Sequence, residues 1–206
     1  MVITILSEYR SGSTNLAKWF TLNSDFTVLS EVLNPFILGN RTQIGKIVVS
    51  NKNPQTWCYP TKHLLVKEIY DKTNPYLNDL ITISDRVIVL YREDVKVQLE
   101  SFINLLITKK SNSNKSAHTK WMYKSINRNN INDGVKSLID NFFVVKSDVK
   151  KDLIESNKYF TISYEELYFN NEFQKLVDYI NLKEVQNINF PFGEKYRVDL
   201  DKNKLI

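Results

Sequence analysis

The chain has 206 residues, 42% hydrophobic and 25% charged, enough for one packed domain, and no apolar run approaches the roughly 20 residues a bilayer span needs. A single cysteine, Cys58, excludes an internal disulfide, and with only His63 and His118 as imidazoles no metal is expected. The net charge of +5 favours anionic ligands without choosing among a nucleotide, a sulfated sugar and nucleic acid.

The opening run from Met1 to Leu6 lacks a basic n-region and a small-residue cleavage site, so it reads as a buried strand over Val2 to Leu6, with the cytoplasm as the expected location. A helix is predicted from Thr14 to Phe20, then strands from Phe26 to Leu29 and Leu64 to Lys67. A helix from Pro75 to Ile81, a strand from Arg86 to Tyr91 and a helix from Asp94 to Thr108 follow. Residues 109–131 turn to Ser, Asn and Lys and read as a polar surface excursion, open to being either a solvated insertion or an acceptor-binding lid. One long helix is expected from Asn132 to Glu155, with Leu138, Phe142, Val145, Val149 and Leu153 close to one face. A strand from Tyr159 to Ser163, a helix from Glu172 to Ile180 and an irregular segment at 188–206 complete the chain. Strands alternating with helices predict a single α/β domain over 1–206 with three layers: a mostly parallel sheet of about five strands, covered by helices on both faces.

The strongest local signal is the turn between the first strand and the first helix, Arg10-Ser11-Gly12-Ser13-Thr14-Asn15. A strand that turns sharply into a helix aims backbone N–H groups and the positive helix end at one spot, which suits a phosphate or sulfate. Gly12 permits close backbone approach, Ser13 and Thr14 carry hydroxyl donors, and Arg10 brings a charged planar fork. The alternative reading is a Ser/Thr-rich helix cap with Arg10 exposed. The Walker pattern is absent, since there is one glycine and no lysine after it.

Arg10-Ser11-Gly12-Ser13-Thr14 instead resembles the 5′-phosphosulfate loop of the sulfotransferases that use 3′-phosphoadenylyl sulfate (PAPS). Three further segments resemble the same family in the same order. Arg92 at a strand end and Ser101 in the next helix take the positions of the residues that hold the 3′-phosphate. Glu31, after the second strand, resembles the catalytic glutamate of the carbohydrate, bacterial trehalose-type and tyrosyl-protein members; neither His63 nor His118 is a convincing counterpart of the histidine used by the cytosolic small-molecule members. Tyr164-Glu165-Glu166-Leu167 resembles a late turn whose tyrosine lies near the adenine. Lys67 also falls where many members carry a lysine. Asn15 departs from the family, standing where many members place an adenine-stacking tryptophan, and no Arg-Lys-Gly loop is evident near the end, where Lys195 or Arg197 could substitute.

The resemblance implies a P-loop-kinase-like fold and sulfuryl transfer from PAPS to a hydroxyl acceptor, such as a carbohydrate, leaving PAP as product. It implies Arg10 and Glu31 as catalytic residues and Arg10, Ser11, Gly12, Ser13, Thr14, Asn15, Arg92, Ser101 and Tyr164 as donor-binding ones. No membrane or nucleic acid is expected as a partner. The alternatives are a nucleotide-dependent phosphotransferase on a related sheet and a non-catalytic module binding nucleic acid through the basic, aromatic 109–131 segment. The acceptor's identity and the oligomeric state are not encoded in any of these motifs.

Overall fold

The computed structural model describes residues 1–33, 63–107, 131–170 and 172–181. The 109–131 and 188–206 segments, with His118, Lys195 and Arg197, lie almost wholly or wholly outside them, as does Cys58. Five strands, β1 (Val2–Ser7), β2 (Thr27–Ser30), β3 (Leu64–Ile69), β4 (Arg86–Tyr91) and β5 (Phe160–Ser163), form one sheet in the order β2-β3-β1-β4-β5. Every pairing is parallel, with Val2 opposite Leu64, Ile3 opposite Arg86, Thr27 opposite Leu64 and Ile88 opposite Phe160.

β1 occupies the centre because its side chains can be buried on both faces. Ile3 and Ile5 enter one apolar cluster with Leu65 of β3, Ile88 and Leu90 of β4 and Ile162 of β5. Leu6 enters the other with Val87 and Val89. The one mid-strand polar side chain, Thr4, is satisfied by a 2.6 Å hydrogen bond between its hydroxyl and that of Ser84.

Three helices cover the first face. These are α1 (Ser13–Asn23), with α5 (Tyr164–Tyr168) and α6 (Phe173–Ile180) from the end of the described chain. α6 buries Phe173, Leu176, Val177 and Ile180, the i, i+3, i+4, i+7 stripe of an amphipathic helix, and ends on Asn181 at φ 56°. Phe173 meets Trp19 of α1 edge-on with ring centroids 4.5 Å apart. The second face is covered by α2 (Leu77–Ile83) and α4 (Ile131–Asp148), while α3 (Val95–Ile107) sends Phe102 between Tyr9 and Phe142.

The long helix expected over 132–155 is broken in kind though not in course. α4 passes at Val149–Ile154 into a π-helical turn, where the Glu155 N–H reaches back to the Lys150 carbonyl. Val145, Val149 and Leu153 are four residues apart, a spacing that drifts by about 40° per step around a straight α-helix at 3.6 residues per turn. The wider turn rotates that stripe back, and all three stay buried. The expected turn at Tyr164-Glu165-Glu166 is a full helical turn. Ser163 caps it, accepting from the Glu166 N–H while Glu166 accepts from the Ser163 N–H.

This sheet has a topological switch point. The chain leaves β1 toward β2 on one side, and leaves β4 toward β5 on the other, so the loops at the carboxyl ends of these adjacent strands part and open a crevice. Among the described residues, no helix is long and apolar enough to cross a membrane. Ile5 is fully buried at the centre of the sheet, so Ile5→Ala should cost about 2–5 kcal/mol of stability, measurable as a fall in the denaturant midpoint at unchanged slope.

Candidate functional site

The loop leaving β1 is shaped by hydroxyls and rings that turn inward. Ser7 Oγ lies 2.9 Å from Ser13 Oγ and 3.1 Å from the Glu68 carbonyl, and Ser11 donates to the Glu8 carbonyl at 3.0 Å. Gly12 stands at φ 84° as the N-cap of α1 and provides no side-chain cap. The first turn of α1 also has no acidic side chain, so its positive end carries no internal counter-charge. A methyl group on Gly12 would fall 2.7 Å from Tyr164 Cδ2, and Tyr168 donates to the Gly12 carbonyl at 2.9 Å. The glycine is therefore required both by its conformation and by the tyrosines packed on it. Thr14 is exposed, and Asn15 is half-buried with its N–H on the Gly12 carbonyl.

Arg10 and Arg92 meet at the crevice. Arg92 Nη1 donates to the Arg10 carbonyl at 3.5 Å, and its guanidinium lies 4.3 Å from the Tyr164 ring centroid. Arg10 is exposed as a whole residue, yet desolvation of its guanidinium and then the nearby Arg92 charge both push its pKa below the ordinary arginine value. Ser101, expected beside Arg92, accepts instead from Arg10 Nε at 3.0 Å. Tyr164, expected beside an adenine, is the platform between Gly12 and Arg92. The carboxylate on Arg92 is neither Glu93 nor Asp94 but Glu165, 3.6 Å from Arg92 Nε.

No family model matches this chain, and no curated protein matches it. The side chains themselves must carry the functional reading.

Glu31 lies two strands from β1, at the carboxyl end of β2 with β3 between. Its N–H donates to the Lys67 carbonyl at 2.6 Å, and its carboxylate is paired with the buried Lys67 ammonium. Among the described residues, four non-glycine residues have positive φ: Asn157, Asn181, Arg10 at 58° and Glu31 at 54°. Asparagine accepts that conformation readily, whereas for arginine and glutamate it is strain that the surroundings must impose. His63 sits at the amino end of β3, on the opposite edge of the sheet, 3.7 Å from Asp25.

Four site residues had no role assigned from sequence. Glu8 is buried and accepts from the Arg92 N–H at 3.2 Å, from Gln98 Nε2 at 2.8 Å and from Lys146 Nζ at 3.1 Å. Lys146 also donates to the Arg92 carbonyl at 2.7 Å, so Glu8, Gln98 and Lys146 lock the exit of β1 to the exit of β4. The fourth, Tyr168, anchors Gly12. Only Gly12 itself gave a signal for it, as a position where another group approaches closely.

Glu68, behind Lys67 on the opposite face of β3, accepts from the Leu33 N–H at 2.9 Å; burial is the main reason its carboxyl is pushed up to about 8. The folded state thus holds a proton that the unfolded chain has released above the ordinary value of 4.5. Stability is largest below that value and falls as pH rises toward 8, with a limiting slope of about 1.4 kcal/mol per pH unit. In Glu68→Gln this dependence should vanish, so the unfolding free energy of the parent minus that of the variant should fall steadily from pH 5 to pH 8. Gly12→Ala should cost about 1–3 kcal/mol through strain at positive φ and the clash with Tyr164, read from urea melts.

Proposed function

We propose that the chain is a sulfotransferase that moves a sulfuryl group from PAPS to a hydroxyl of a carbohydrate or other acceptor. The observation that carries this reading is the convergence of Arg10 and Arg92 on one crevice at the switch point of a parallel sheet. An Arg10 guanidinium that feels the Arg92 charge favours an anion nearby. PAPS offers two anionic groups, a 5′-phosphosulfate and a 3′-phosphate. The Arg10 to Thr14 loop, with the uncapped start of α1 behind it, suits the first. Arg92 suits the second, with Ser101 close by on Arg10 and still holding a hydrogen to donate. A P-loop-kinase-like arrangement of loop, sheet and helix belongs to the same reading.

In the reaction, the acceptor oxygen attacks sulfur while the bond from sulfur to the 5′-phosphate oxygen breaks. The electron pair of that bond leaves on PAP, where Arg10 and the loop N–H groups stabilise the growing charge. The acceptor proton passes to the Glu31 carboxylate, which Lys67 holds in place. As in phosphoryl transfer, the protein supplies mainly position and electrostatic stabilisation.

Transfer of labelled sulfate from PAPS to a panel of sugars and phenols tests the assignment. Arg10→Ala should lower turnover by roughly 10²- to 10³-fold. Glu31→Gln should lower it by roughly 10²- to 10⁴-fold with PAP affinity nearly kept. Arg92→Ala should cost about 1.5–3 kcal/mol of PAP binding. Transfer at the parental rate in Glu31→Gln would remove the glutamate from the mechanism, and absence of PAP binding by the parent would remove the donor.

A further inference from the structure

The start of α3 already holds an anion, and it belongs to the protein. Glu165 Oε2 accepts from the Glu93 N–H at 3.0 Å and Oε1 from the Asp94 N–H at 3.4 Å. The same Oε1 lies 3.6 Å from Arg92 Nε, a buried nitrogen that makes no hydrogen bond. Arg92 is nine-tenths buried, so its charge cannot turn away to bulk water. Two backbone donors, a helix start and a buried guanidinium are the components of a phosphate site, and a carboxylate from another element fills it.

Glu165 is not needed to cap α3. Asp94 does so from within, accepting from the Val97 N–H at 3.0 Å. Nor is Glu165 needed to start its own helix, which Ser163 and Glu166 cap between them. Its side chain comes from a helix of five residues and keeps about a fifth of its surface in solvent, so it can swing outward without unfolding anything.

We propose that Glu165 is a built-in, displaceable occupant of the anion site made by Arg92 and the Glu93 and Asp94 N–H groups, and that a phosphomonoester dianion binds there by expelling it. The inference rests on the reading of Arg92 as an anion-binding residue. It has a consequence for selectivity: a ligand must outcompete a carboxylate, which a phosphomonoester with two charges can do and a sulfate monoester with one cannot. Affinity is lowered by the fraction of time the site is filled by Glu165.

The test is a titration of the full chain and its Glu165→Gln and Glu165→Ala variants with inorganic phosphate and, separately, with PAP, followed through the amide resonances of Glu93 and Asp94. If Glu165 holds the site nine-tenths of the time, both variants should bind phosphate about tenfold more tightly than the parent. Phosphate binding that is unchanged or weaker in the variants, or that leaves those two amides unmoved, overturns the inference, because a carboxylate that merely orients Arg92 would be missed when removed. PAP separates this result from the donor assignment. Tighter phosphate binding with no PAP binding keeps the displaceable carboxylate and rejects the donor; PAP binding of equal strength in all three proteins keeps the donor and rejects the displaceable carboxylate.

Discussion

The geometry of the crevice depends on the carboxylate of Glu8, a charge taken out of water between two strands. Such a group is costly unless its lone pairs are filled, and here three donors fill them: the Arg92 N–H, the Gln98 amide and the Lys146 ammonium. Removing one partner from a buried pair of this kind typically costs about 3–5 kcal/mol, which is why the arrangement admits little slack. Each donor comes from a different element, so one carboxylate fixes β1, the end of β4, α3 and α4 relative to one another. Arg10 and Arg92 sit on the backbone that Glu8 holds, and their like charges are kept together by this network and not by any attraction of their own.

Around that clamp the site is built in two tiers. Below the loop, Tyr164 and Tyr168, their rings 4.4 Å apart, press on Gly12, and Tyr164 also supports Arg92. Beyond the neighbouring strand, the pair of Lys67 with Glu31 holds a glutamate in a backbone conformation it would not adopt alone. Strain at Arg10 and Glu31 together means that packing has been used to aim both side chains.

The strands were legible because burial on both faces leaves continuous aliphatic runs, and α6 was legible because its apolar residues keep helical spacing. The Arg10 to Thr14 loop was legible because its signal is local: strand, turn, glycine, helix. The Glu8 clamp was not, since Gln98 and Lys146 lie 90 and 138 residues away and nothing about a lone glutamine or lysine announces such a partner. The contact of Ser101 with Arg10 was not legible for a related reason. Spacing along α3 puts it near the crevice, but which guanidinium it meets depends on how the β1 loop folds back. The short helix at Tyr164 was readable and missed, as Ser163 and Glu166 have the spacing of a capping box.

The tyrosine that braces Gly12 lies 156 residues further along the chain. At ribosomal rates, that separation corresponds to roughly 10 to 30 s between the synthesis of the loop and the arrival of its support. The central strand likewise waits for β3 and β4 before either of its edges is paired. A nascent chain therefore carries the Arg10 to Thr14 loop early but without the rings that shape it. The loop can take its final shape only after the strand at Phe160–Ser163 and the two helices that follow it have been made.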